Sequence, residues 1–143
     1  MGLYQSGLLA HAGGDVDPVN DTIRVLLVDT TLYTQDLANN TVESDIPEAA
    51  VVASDVLGNV SLDQTAVSGE LGVTVRADAI TLNNVTGTVG MAVFVKDTGI
   101  PAANPLLASN VQTGWPTDYD DDSVPLDFDP GDNGIYRLSY TLP

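Results

Sequence analysis

Two stretches, Thr22-Ile-Arg-Val-Leu-Leu-Val28 and Val89-Gly-Met-Ala-Val-Phe-Val95, decide the fold of this chain. Side chains alternate along a strand. In the first stretch Ile23, Val25 and Leu27 therefore share one face, and Arg24, Leu26 and Val28 share the other. A β-branched segment that is apolar on both sides reads as a central strand covered on both faces. The second stretch has the same character and is the other core strand. It runs into a turn at Asp97-Thr-Gly-Ile-Pro101.

Outward from these, residues 29–50 read as a long polar connection anchored by Tyr33, Leu37 and Ile46, with a one-turn helix near Asp45 to Ala50. Short strands are expected at 51–52, 56–62, 71–77, with Leu71, Val73 and Val75 inward, and 79–82. Others are expected at 105–111, 123–129 and 134–142. Helical periodicity is nearly absent beyond residues 3–11. There Leu3, Leu8 and Leu9 fall within two turns before Gly13-Gly14. The expectation is a mainly β, single-domain antiparallel β-sandwich spanning 15–143, preceded by an N-terminal arm or short helix at 1–14.

The chain has 143 residues, which suits one domain. It has no cysteine, which excludes disulfides and thiolate chemistry. Seventeen Asp and three Glu oppose three Arg and one Lys, for a net charge of −16. That balance excludes a conventional nucleic-acid binder and argues against docking on anionic membranes. With 43% hydrophobic residues the chain is nevertheless a folding sequence rather than an acidic tail. The acidity has two readings. It keeps a crowded protein soluble, or it adapts the protein to brine, where the Debye length shrinks to ~3 Å at 1 M salt. A single lysine, Lys96, and the excess of Asp over Glu favour a halophilic setting. No basic leader with an apolar core and no run of 18 apolar residues is present, so a product made soluble in the host cytoplasm is expected.

Residues able to carry chemistry are few. His11 is the only histidine and reads as a solvated terminal side chain, so histidine-based triads and metal sites are not expected. The acidic run holding Asp118, Asp120, Asp121 and Asp122 could supply oxygen ligands to Ca²⁺ or Mg²⁺, as could the stretch Asp127-Phe-Asp-Pro-Gly-Asp-Asn133. The latter lacks the Asp-x-Asp-x-Asp-Gly core of a calcium loop, and the bland reading of the run is a solvated acidic loop. Trp115-Pro116 reads as a loop anchor. No catalytic constellation stands out, and the protein is read as a non-enzyme without a resident cofactor.

The order of several blocks resembles a family of small virion structural proteins of tailed viruses. These blocks are Gly14-Asp-Val-Asp17, Asp21-Thr-Ile-Arg-Val-Leu-Leu-Val28, Thr30-Thr-Leu-Tyr33 and Ala77-Asp-Ala-Ile-Thr-Leu-Asn-Asn84. They continue with Met91-Ala-Val-Phe-Val-Lys-Asp-Thr-Gly99, Pro105-Leu-Leu107 and Asp132-Asn-Gly-Ile-Tyr-Arg-Leu138. The resemblance spans nearly the whole chain and rests on turns and strands. The acidic segment within 110–124 departs from the family's Ser/Asn/Gly-rich loop, and the family's Trp before the final Gly-Ile is missing. The resemblance implies a capsid decoration (cement) protein on the head exterior of a virion, bound to the major capsid protein and to copies of itself, with a trimer favoured. Leu3, Tyr4, Leu8 and Leu9 are the candidate capsid-binding anchors. A tail or baseplate component, or a host-binding surface module, is the alternative. The tail reading calls for a long hairpin, which the sequence does not show plainly.

Overall fold

The computed structural model describes residues 2–67, 70–127 and 135–141. It is mainly β, with three antiparallel sheets and one short N-terminal helix. In chain order the elements are β1 (Gly2–Leu3), α1 (Gln5–Ala12), β2 (Ile23–Val28), β3 (Val51–Val56), β4 (Ser61–Val67), β5 (Glu70–Arg76), β6 (Ile80–Val89), β7 (Met91–Lys96), β8 (Leu106–Asn110), β9 (Thr117–Leu126) and β10 (Tyr136–Thr141). The sheets run β1-β8-β7-β2-β3, β10-β5-β4 and β6-β9.

The two deciding stretches pair with each other, from Ile23 opposite Lys96 to Val28 opposite Met91. Alternation then sends their side chains to two separate cores. Val25, Leu27, Ala92 and Phe94 meet Leu82, Val85 and Val89 of β6, Val124 and Leu126 of β9, and Val75, Ile135 and Tyr136 from the three-stranded sheet. Leu26, Val28, Met91, Val93 and Val95 face the opposite way, onto Tyr4, Tyr33, Ile46 and Ala50. The five-stranded sheet is thus a central layer. Strands cover one face and the connection 29–50 covers the other.

That connection is ordered by its aspartates. Asp36 accepts from the backbone N–H groups of Ala38 and Asn39, and Asp45 from those of Thr41 and Val42. Asp17 does the same for Val19 and Asn20 in the preceding turn. Short Asp side chains reach backbone N–H groups two to four residues away, which Glu does less well. Part of the Asp excess is therefore turn chemistry. The expected one-turn helix is found as two 3-10 turns, Glu43–Asp45 and Glu48–Ala50. Tyr33 and Ile46 are buried anchors, whereas Leu37 is 36% exposed.

Several strand boundaries differ from the sequence reading. β6 runs to Val89, far beyond 82, because it pairs along nearly its whole length with β9. β9 begins at Thr117, so the acidic run is a strand rather than a loop. Leu71 is 55% exposed, although Val75 on the same face is buried. Along β5 the core therefore covers Val75 but not Leu71.

Candidate functional site

The N-terminal segment is seated on the body. β1 pairs with β8, Gly2 opposite Ser109 and Leu3 opposite Ala108. The Tyr4 N–H donates to the Leu107 carbonyl at 3.1 Å, and the Ser6 hydroxyl to the Leu106 carbonyl at 2.9 Å. Between Phe94 and Val95 the β7/β8 register shifts by one residue, leaving Leu107 as the extra residue of a bulge. Helix α1 crosses at that bulge. A Cβ built on Gly7 would lie 2.4 Å from the Leu107 carbonyl oxygen, so a side-chain-free position is what lets the helix approach.

Two polar contacts fix the ends of this segment. The Tyr4 hydroxyl bonds that of Tyr33 at 3.0 Å, and Tyr33 donates onward to Asn40 at 2.9 Å. Burial pushes both phenols above their usual range. At the other end His11 Nδ1 meets the Gly7 carbonyl at 2.7 Å, and Nε2 meets the Tyr136 hydroxyl at 2.9 Å. His11 is thus a half-buried clamp between helix and sheet, not a solvated side chain. Tyr136, also raised by burial, stays protonated and can donate to it.

The four candidate anchors separate. Tyr4 is wholly buried within the chain, and Leu3 is half-buried against the main core. Leu8 is 46% exposed and Leu9 is 73% exposed. The helix therefore buries its small residues, Gly7 and Ala10, and turns its leucines to solvent. This inverts the usual amphipathic pattern. Residues 2–14 also carry no Asp, Glu, Lys or Arg.

Three cations of the chain are committed elsewhere. Arg24 on β2 donates to both carboxylate oxygens of Glu43, at 2.8 and 2.6 Å, and lies 3.4 Å from Asp97. Glu43 also accepts from the buried Asn104 amide at 2.6 Å, whose oxygen receives the Thr98 N–H and hydroxyl. This node ties the connection 29–50 to the 97–104 turn across the central sheet. Lys96 donates to the Asp15 carbonyl at 2.6 Å and pairs with Asp21 at 3.1 Å. Arg76 pairs with Asp63 at 2.6 Å.

Two of the acidic residues of β9 are held by neutral neighbours on β6. Asp118 accepts from the Thr88 hydroxyl, and Asp121 from the Asn84 amide at 2.8 Å. The Asp120 N–H donates to Asp122 at 3.0 Å. Among the described residues no group of three or more acidic or histidine side chains is arranged to hold a metal ion. Of the stretch 127–133, only Asp127 falls within the described residues. Trp115 packs against the core and donates its indole N–H to Tyr119 at 2.9 Å, consistent with a loop anchor. No helix is long and apolar enough to cross a membrane among the described residues. Comparison with known proteins finds no matching family model, no matching curated protein and no matching solved structure.

Proposed function

We propose that this protein is a non-catalytic virion structural component, a capsid decoration protein that attaches to the assembled head through helix α1. The observation that carries the reading is the inverted helix. Leu8 and Leu9 stand exposed on a charge-free segment of a chain whose net charge is −16. Exposed apolar residues on a rigid platform suit a partner surface. Of the four anchors, Leu8 and Leu9 are the ones free to meet the major capsid protein. Closure of copies around threefold positions would multiply weak contacts. The acidic remainder suits the outward face, in a saline host where salt or bound Ca²⁺ or Mg²⁺ screens it.

The test is copy number and binding. Purified virions should hold hundreds of copies, near the count of the major capsid protein. Leu8→Asp combined with Leu9→Asp should leave the fold intact and lose attachment to heads. Low multiples of six per virion, or unchanged attachment, reject the reading. Truncating the segment is not a clean test, because Tyr4 and β1 belong to the body.

A second reading, a tail component, is favoured by one feature. β4 and β5 form a hairpin with seven residues in each arm, the kind of element that ring or tube packing calls for. Low multiples of six in the same copy-number measurement would select it.

A further inference from the structure

We propose that the outer edge of β4 is a self-pairing surface, where two copies join antiparallel about a twofold axis at Gln64 and merge their three-stranded sheets. Open strand edges invite pairing, and several edges here are blunted. The outer side of β8 is taken by β1, by Tyr4 and by residues 41–43, through bonds such as Leu106 N–H to the Thr41 carbonyl. β6 is broken by register shifts, and β9 carries four Asp and a proline. β4 has no proline, no lysine and no register shift, and among the described residues nothing pairs with its outer side.

The sequence of β4 is self-complementary. It pairs with β5 in unbroken register from Ser61 opposite Arg76 to Val67 opposite Glu70. In an antiparallel ladder every second residue turns its N–H and C=O outward. The Val75 carbonyl accepts the Ile135 N–H on the β10 side, so the Leu62/Val75 pair is not hydrogen-bonded across β4 and β5, and the outward set is Leu62, Gln64 and Ala66. A twofold axis at Gln64 sets Gln64 against itself and Leu62 against Ala66, so the outward set of one copy meets that of the other.

Charge favours a second copy as the occupant. Residues 57–77 hold Asp63, Glu70 and Arg76, a net −1 (−2 + 1) in a chain of −16. Asp63 is already neutralised by Arg76 and would stand opposite a threonine of the other copy. The merged sheet would extend the apolar face on which Leu62 and Leu71 are 48% and 55% exposed. The pairing does not rest on the decoration reading and neither needs nor excludes threefold closure on a shell.

Sedimentation equilibrium of the free protein in 1 M NaCl, where its charge is screened, reads the association. The parent chain should dimerise reversibly. Gln64→Pro removes an outward N–H without touching the β5 ladder and should weaken dimerisation by more than about tenfold. The chain has no cysteine of its own, so Gln64→Cys should be captured as a covalent dimer by a short bis-maleimide. Ser61→Cys, about 20 Å from its counterpart, should not be. A parent that stays monomeric at millimolar concentration overturns the proposal. So does association unchanged by Gln64→Pro, or equal capture of the two thiols. Should Gln64→Pro fail to fold, the two thiol variants decide.

Discussion

Gly7 of helix α1 sits so close to Leu107 that a Cβ on it would lie 2.4 Å from the Leu107 carbonyl oxygen and 2.8 Å from its Cα. Alanine is the better helix former by about 1 kcal/mol. The obstacle here is backbone, which cannot swing aside, so overpacking outweighs propensity. Gly7→Ala should destabilise the protein by about 1–3 kcal/mol in urea unfolding. Leu9→Ala, on the exposed side, should stay within about 0.5 kcal/mol. Equal effects would show that the helix is not seated on the bulge.

The Glu43 carboxylate serves two partners, Arg24 as an ion pair that reaches both of its oxygens and Asn104 as a hydrogen-bond donor. Glu43→Gln keeps the shape and removes the charge beside a largely buried guanidinium. Its expected cost is about 1.5–3 kcal/mol, the range for hydrogen bonds to charged groups. Hydrogen exchange should rise in residues 41–50 before it rises in β2 or β7. Uniform loss across the sheet would contradict a local tie.

Tyr136→Phe leaves His11 Nε2 without its partner while keeping the ring in the core. Stability should fall by about 1 kcal/mol. The loosened part should be α1, read as faster amide exchange at residues 8–12. Unaltered exchange there would mean that the His11 contact does not hold the helix.

Acid should unfold the turns before the core. Asp17 and Asp36 are held below the usual carboxylate range chiefly by the amides of Asn20 and Asn39, and Asp45 chiefly by the Thr41 N–H. A carboxylate lowered in the folded state adds stability that is fully present above its unfolded pKa and lost as pH falls through the folded value. The turns at 17–21 and 36–45 should therefore hold at pH 5 and loosen below about pH 4. Side-chain carboxyl titration by NMR checks this: these three should protonate below the usual carboxylate range.

Salt should act in the opposite sense to its effect on ordinary surface ion pairs. Arg24, Arg76 and Lys96 are paired with carboxylates, yet the chain carries 20 acidic residues to four basic ones. Repulsion among the surplus is what added salt relieves. The melting temperature should rise by several degrees from low to molar NaCl. No rise would remove the argument for a saline host.

Strands β2 and β7 were legible because β-branched runs, apolar on both faces, leave few alternatives. Of the three apolar anchors read in the polar connection, Tyr33 and Ile46 are buried and Leu37 is not, because apolar character alone does not tell which side chain reaches the sheet. Local pattern could not show what depends on distant partners. Arg24 and Glu43 are 19 residues apart, and His11 and Tyr136 are 125 apart. The acidic run at 118–122 has poor strand propensity and reads as a loop. Pairing with β6 overrides that preference. At the candidate site all four anchors were named, but only the fold could tell which faced inward. Gly7 carried the missed signal: a glycine inside a short helix argues for close backbone approach.

The scarcity and placement of the basic residues also govern how the protein can be counted. Arg24, Arg76, Lys96 and Arg137 each lie on a strand, and they are the only trypsin sites in the chain. Complete digestion yields only five peptides, one of them spanning 25–76. Tryptic mass spectrometry would therefore under-represent this protein in a mixture and mimic a low-abundance component. Cleavage at aspartate, of which there are seventeen, gives the unbiased census.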